Sequence, residues 1–412
     1  MLHRHLARSI AEALADTPVV LVHGPRQAGK STLAEQVAGE RLAGRRVTLD
    51  DPIVAAAAKA DPMAFFAAYP PPVFIDEVQR APQLFLPMKR LVDQNRKPGQ
   101  FLLTGSANVL ALPKMADSLA GRMEVVDLLP FSQGELAEGP DGLVDALFGE
   151  AFTPKASPIA EADLHERIVR GGYPEPSLRP SASRRATWFA NYVRTLLERD
   201  VKDVADIEGL AQMPLLLSLL ANRTGTVLNV SSLATEVNIP YTSLKRYLNL
   251  LQTIFLLQLV PAWSTTRDKS FTKTPKAYLV DTGLLCHLAN LDGRALAKDP
   301  AKLRPVLENF VAIELAKQCR FGEVRPWLMH LRTVRQLEVD FVLEARGGDV
   351  VGVQVKPTPS LRYEDAKGLR YLREVVGDRF RRGVVLYPGS EVQVLDQDIL
   401  GLPISALWET AV

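Results

Sequence analysis

Two spacings of apolar residues alternate along the first third of the chain. Short runs rich in β-branched residues, Pro18–His23, Arg46–Leu49, Pro72–Asp76, Gln100–Thr104 and Met123–Leu129, are each followed by a turn signal or an amphipathic stretch. Such strands joined by helical crossovers predict a parallel, doubly wound α/β sheet. From residue 141 to 205 the pattern turns helical, with the breaker Gly171-Gly172-Tyr173-Pro174 in its middle. Residues 210–295 hold short helices and then a strand-like return, Leu256–Pro261 and Ala277–Val280. Beyond residue 300 come a helix over Val306–Cys319, strands over Glu338–Leu343 and Val350–Val355, a further helix, and a strand over Arg382–Leu386. That is a second α/β unit. The expected segments are 1–140, 141–205, 206–298 and 299–412, with no internal repeat and no low-complexity tract.

A chain of 412 residues has room for two to four domains at about 150 residues each. With 47% hydrophobic and 23% charged residues, its composition is that of a soluble globular protein. No apolar run reaches the roughly 18 residues of a membrane span, and Met1-Leu2-His3-Arg4-His5 leads into an amphipathic stretch rather than a signal core. The cysteines, Cys286 and Cys319, lie far apart among apolar or helical residues, as buried reduced thiols do. These features predict a cytoplasmic protein with no membrane partner. A net charge of +2 means that any basic partner surface is local.

Gly24-Pro25-Arg26-Gln27-Ala28-Gly29-Lys30-Ser31 fits the phosphate-loop pattern G-x-x-x-x-G-K-S/T in full, between the strand Val19–His23 and a helix beginning at Ser31 and Thr32. Glycines let successive backbone N–H groups turn toward phosphate oxygens. Lys30 neutralises the β- and γ-phosphates, and the Ser31 hydroxyl ligates Mg²⁺, so the expected ligands are ATP and Mg²⁺. In Val73-Phe74-Ile75-Asp76-Glu77 an apolar strand ends in two carboxylates, which are costly to leave there without a cation. Asp76 is expected in the Mg²⁺ shell and Glu77 on the attacking water. Leu102-Leu103-Thr104-Gly105-Ser106 ends a further apolar strand, expected between the first two, with Ser106 or Thr104 reading the γ-phosphate or simply closing a turn. In oligomeric ATPases of this architecture the place of Arg122 points into the neighbour's nucleotide. A helix-capping arginine is the other reading.

These residues resemble the AAA-type P-loop ATPases of bacteria and archaea that carry a winged helix and a PD-(D/E)xK nuclease-like domain of poorly known function. The resemblance continues through Leu49-Asp50-Asp51-Pro52, Leu119-Ala120-Gly121-Arg122, Leu129-Pro130-Phe131, Leu279-Val280-Asp281-Thr282-Gly283-Leu284, Leu307-Glu308-Asn309-Phe310-Val311 and Glu338-Val339-Asp340-Phe341. It implies that 141–205 is a helical lid and that Gly172-Tyr173-Pro174 is similar to a G-x-P element whose proline, Pro174, packs near the adenine. A plain lid turn is the alternative there.

Asn229–Val237 reads as a capped helix, Asn238-Ile239-Pro240 as a turn and Tyr241–Leu251 as a second helix with Leu244, Leu248 and Leu251 inward. That is a helix-turn-helix layout, with the following strands as a wing. Thr242, Ser243, Lys245 and Arg246 face outward, and Lys245 and Arg246 supply phosphate contacts without base specificity. DNA contact and a protein-only role both remain open. In the last segment Glu308, Asp340 and Gln354-Val355-Lys356 resemble the PD-(D/E)xK nuclease core, in which oxygen ligands hold Mg²⁺ and a lysine activates water. Gln354 stands where a carboxylate is usual, and Glu338 shares a strand face with Asp340. An active nuclease and an inactive binding domain are the two readings, with weak or absent cleavage expected.

The expected whole is a homo-oligomeric, ATP-hydrolysing, DNA-associated motor or switch acting on branched or foreign DNA. A signalling or regulatory nucleotide switch whose C-terminal domains bind a protein is the alternative, and a nucleic-acid-cutting defence effector a third.

Overall fold

The computed structural model describes residues 2–42, 45–105, 119–200, 210–264, 273–334 and 336–412. The chain divides into two compact units, one of residues 3–130 with 253–255 and one holding 131–252 and 256–412. Among the described residues no helix is long and apolar enough to cross a membrane.

In the N-terminal unit the strands are β1 (Val19–His23), β2 (Arg46–Thr48), β3 (Val73–Asp76), β4 (Phe101–Gly105) and β5 (Met123–Asp127). They form one sheet in the order β2-β3-β4-β1-β5, and every pair is parallel. The expected five-stranded parallel sheet is therefore present, with β4 between β1 and β3. β1 and β4 are buried along their whole length, because helices on both faces leave no solvent side. Among the described residues the helices of this unit are α1 (Leu6–Asp16), α2 (Lys30–Arg41), α3 (Pro52–Ala60), α4 (Pro62–Ala68) and α5 (Phe85–Gln94). Phe66, Phe85 and Met88 pack with Val19, Leu21, Ile75 and Phe101 in its core. Asp51 starts α3 by accepting from Ile53 N at 2.8 Å and Val54 N at 3.3 Å.

The C-terminal unit begins with α6 (Gln133–Ala137), α7 (Leu143–Phe148), α8 (Glu161–Arg170), α9 (Pro174–Ser177), α10 (Ala182–Thr195) and α11 (Met213–Asn222). The helix pair α12 (Val230–Val237) and α13 (Tyr241–Thr253) follows, then β6 (Leu257–Val260) and β7 (Lys276–Leu279) as an antiparallel pair. Asn229 caps α12 by accepting from Ser232 N at 3.0 Å, and Asn238 ends it in the left-handed region. Leu244, Leu248 and Leu251 are buried as expected, and Lys245 and Arg246 are exposed.

α14 (Thr282–Leu288), α15 (Gly293–Lys298) and α16 (Pro300–Phe321) lead into a six-stranded sheet. Its strands are β8 (Trp327–Arg332), β9 (Glu338–Glu344), β10 (Val350–Val355), β11 (Phe380–Tyr387), β12 (Gln393–Asp396) and β13 (Ile399–Pro403). Their order is β12-β13-β11-β10-β9-β8. β8, β9 and β10 form an antiparallel meander, β10, β11 and β13 run parallel, and β12 is antiparallel to β13. α17 (Lys367–Val376) packs Leu369 and Leu372 on this sheet, and α18 (Ala406–Glu409) closes the chain. The sequence pattern did not foresee β8, β12 and β13. β8 and β12 are edge strands with solvent-facing residues such as Trp327 and Val394, so their apolar periods are broken.

α16 is buried on nearly every side, and its polar side chains bond to the backbone around it. Asn309 donates to Leu279 O at 2.9 Å and accepts from Leu279 N at 2.9 Å. Glu314 accepts from Gln133 N at 2.8 Å, and Lys317 donates to Phe131 O at 2.8 Å and to Glu314 at 2.7 Å. Gln318 accepts from Val144 N at 3.0 Å and donates to Leu407 O at 2.6 Å. Asn309→Leu leaves both polar groups of Leu279 buried without this partner, at about 1–3 kcal/mol each. The expected result is a lower urea midpoint for the C-terminal unit, followed by tryptophan fluorescence, and an unchanged midpoint overturns this account.

Candidate functional site

β1 ends at His23 and the chain turns at Gly24, where a Cβ would lie 2.1 Å from Leu128 O, so no side chain fits. Gly29, at φ +91°, turns the loop into α2. Among the described residues no side chain caps this helix, which leaves its first turn open to an anion. Lys30 is buried, and its Nζ donates to Gly24 O at 3.1 Å and Pro25 O at 2.8 Å. Arg4, which the sequence pattern did not single out, braces the loop: its guanidinium donates to Ala28 O at 3.4 Å and Leu129 O at 2.5 Å.

Asp76, at the end of β3, is the hub of the site. Its Oδ1 accepts from Ser31 Oγ at 2.7 Å and from the Thr104 hydroxyl, and its Oδ2 accepts from Thr48 Oγ1 at 3.3 Å. The expected Mg²⁺ pair, Ser31 and Asp76, therefore comes together as hard oxygen donors, and such a set fits Mg²⁺. Thr104 also accepts from Glu77 N at 3.2 Å and so fixes the turn after β3. Ser106 lies outside the described residues. Glu77 takes a left-handed backbone, φ 57°, and its carboxylate accepts from the Gln79 amide. Asp50 pairs with Arg80 at 2.6 Å.

Arg122 is engaged within its own chain. Nε and Nη2 form a two-pronged pair with Asp93 at 2.6 and 3.0 Å, and Nη1 donates to Ala120 O at 3.0 Å. The hydrogen bond from Arg122 holds the Asp93 carboxyl below its usual range. Pro174 opens the short helix α9 in the C-terminal unit. In that unit Asp281 accepts from Gly172 N at 2.7 Å and Leu284 N at 2.8 Å, and burial raises its pKa.

The second candidate site is partly as expected. Glu308, Asp340 and Gln354 come together, but Lys356 does not join them: its Nζ lies 3.2 Å from Asp365 Oδ1. The cation among the carboxylates is Lys276 of β7, with Nζ 2.8 Å from Glu308, 2.5 Å from Glu338 and 3.7 Å from Asp340. Gln354 meets Asp340 Oδ2 with its amide N–H at 2.6 Å rather than offering a carbonyl oxygen, and Val355 N donates to the same oxygen at 2.7 Å. Tyr278 OH donates to Glu308 at 2.8 Å. The overlooked signal was a lysine and a tyrosine on one face of the buried run Lys276-Ala277-Tyr278-Leu279.

Burial, then the nearby Glu308, pushes the Asp340 carboxyl up to about 7. Burial alone would lower the Lys276 ammonium, but the three carboxylates raise it. Burial and then Lys276 bring His330 down to about 4. A carboxyl whose folded pKa is raised holds its proton more tightly folded than unfolded. Its contribution to stability is full below the ordinary carboxylate range and is lost as pH rises toward 7. Asp340→Asn is expected to remove this slope, so that native and variant stabilities diverge by about 2–4 kcal/mol between pH 4 and 7. Parallel denaturation midpoints across that range would contradict the assignment.

Three family models match the chain: an AAA domain over residues 16–137, a domain of unknown function (DUF8612) over 161–295 and a domain of unknown function (DUF4143) over 305–407. Among solved structures, the Thermotoga maritima RuvB Holliday junction branch migration motor aligns at 17% identity and a TM-score of 0.30, covering 63% of this chain and 90% of that one. A variant of the same protein aligns at 18% and 0.29, covering 62% and 87%. Two uncharacterized proteins, from Mycobacterium tuberculosis (strain ATCC 25618 / H37Rv) and Mycobacterium bovis (strain ATCC BAA-935 / AF2122/97), are each 30% identical over 411 residues, 99% of this chain and 85% of theirs. The chain belongs to the family of these two mycobacterial proteins, with an AAA domain at its N-terminal end.

Proposed function

We propose that the chain is an ATP-hydrolysing switch or motor that works on DNA as a homo-oligomer. One observation carries the first part: Lys30, Ser31, Asp76 and Thr104 gather beside an uncapped helix start at the ends of β1, β3 and β4. Mg²⁺ bound with the nucleotide draws charge from the phosphate oxygens. Lys30 exchanges its loop carbonyls for the β- and γ-phosphates, and Ser31 and Asp76 hold the Mg²⁺ shell. Glu77 orients water, and Arg122 leaves Asp93 for the nucleotide of a neighbouring copy.

Lys30→Ala is expected to abolish nucleotide binding. Glu77→Gln is expected to bind ATP normally and to turn it over at least about 100-fold more slowly, the scale of a lost general base. Fluorescent-nucleotide titration and phosphate release read the two effects, and normal turnover in Glu77→Gln takes Glu77 out of the mechanism.

The DNA part rests on the helix pair α12–α13 and the β6–β7 pair after it, an order that supports the winged-helix reading. The exposed face of α13 carries Tyr241, Lys245 and Arg246, with Lys245 over the Tyr241 ring at 4.6 Å. The succession α16, β8-β9-β10, α17, β11 supports the nuclease-like reading. Weak or absent cleavage agrees with Lys356 being on Asp365 and Gln354 donating to Asp340. Lys245→Ala with Arg246→Ala is expected to weaken DNA binding and to lower the slope of log affinity against log salt by about 0.9 for each phosphate no longer neutralised. Unchanged affinity and slope in a fluorescence-anisotropy titration would favour a protein partner for α13.

A further inference from the structure

The carboxylates of the C-terminal cluster come from two elements: Glu308 from α16, and Glu338 and Asp340 from one face of β9. Their counter-charge comes from a third. β7 delivers Lys276, whose side chain is 1% exposed, into the middle of the three. An ammonium has three N–H donors and no acceptor. Here it faces three acidic side chains, with Glu338 at 2.5 Å and Glu308 at 2.8 Å from the nitrogen. The other polar contacts hold the acids in place: Tyr278 on Glu308, Gln354 and Val355 N on Asp340. His330 is fully buried nearby; its Nε2 donates to Thr274 O at 3.0 Å, and its Nδ1 has no partner among the described residues. Among the described residues no group of three His, Cys, Asp or Glu side chains is spaced to hold a metal ion. The acids are arranged around an ammonium.

We propose that Lys276 is a built-in substitute for a divalent cation, and that it keeps the Glu308, Glu338 and Asp340 cluster closed to metal. This rests on the nuclease-like reading of the sheet. Two oxygens crowd the ammonium nitrogen as they would a metal ion, and two buried acids, Glu308 and Asp340, with the half-buried Glu338 beside them, demand positive charge. A lysine supplies that charge without an open coordination position, so no water is activated there. The centre is locked by its own chain.

The test uses the full-length, nucleotide-free chain and Mn²⁺ alone, with free Mn²⁺ read by electron paramagnetic resonance. The native chain is expected to show no Mn²⁺ binding that Asp340→Asn removes. Lys276→Met, and Lys276→Gln as a second variant that keeps a polar group, are expected to gain one Mn²⁺ site per chain. That site should bind at least tenfold tighter than any in the native chain and be lost when Asp340→Asn is added. A Lys276 variant that folds only with Mn²⁺ present also supports the proposal, because the metal has then replaced the ammonium. Three results overturn it: Mn²⁺ bound by the native cluster, folded Lys276 variants that gain no site, or variants that fold neither with nor without Mn²⁺. Plasmid nicking by Lys276→Met in Mn²⁺ examines the nuclease-like reading separately. A metal-loaded variant that does not nick counts against that reading and leaves the substitution of cation by lysine standing.

Discussion

A helix buried on nearly every side keeps polar side chains there only if each finds a partner, because an orphaned buried group costs about 1–3 kcal/mol. α16 meets that constraint by bonding to the backbone of distant segments. Asn309 acts as an extra partner for Leu279, Glu314 and Lys317 hold the residues around Phe131 to Gln133, and Gln318 joins Val144 to Leu407. The segment before α6, the start of α7, the β6–β7 pair and the end of the chain are thus fixed against a single rod. Apolar contacts alone would set the distances but not the register. Hydrogen bonds of this kind set both.

The candidate nucleotide site is organised in a similar way, around Asp76. One carboxylate receives Ser31, Thr104 and Thr48, which stand on or beside α2, β4 and β2. Side chains from neighbouring parallel strands and the helix after the loop are thereby held to one carboxylate. Preorganised donors and acceptors need no rearrangement at the moment of reaction.

Much of this was legible in the sequence. The strands β1, β3 and β4 of the first sheet are continuous apolar runs ended by chemistry-bearing residues, and both signals are local. Ser31 and Asp76 could be paired in advance because the phosphate-loop pattern fixes what the next acidic strand end must do. Lys276 could not be read in this way. A lysine and a tyrosine on one face of a short apolar run mark a buried polar pair but give no local hint that the partners of Lys276 lie 32, 62 and 64 positions later, at Glu308, Glu338 and Asp340. Lys356 was the natural candidate by spacing, but Asp365 lies within 3.2 Å of it and takes it instead. The brace from Arg4 to Ala28 and Leu129 is hidden for the same reason: a surface-seeming arginine reaches across 125 positions. Edge strands such as β8 escaped because partial exposure dilutes their pattern.

The Lys276 cluster also bears on how the chain can be divided. The matched segments 161–295 and 305–407 read as separate modules, yet the first contains the lysine and the second all three of its carboxylates. A fragment ending near residue 298 carries Lys276 without its three counter-ions, and one starting there carries the three acids without Lys276. Each half is the other's charge complement. The two segments lie in one compact unit, and shuffling one without the other would separate Lys276 from the carboxylates that neutralise it.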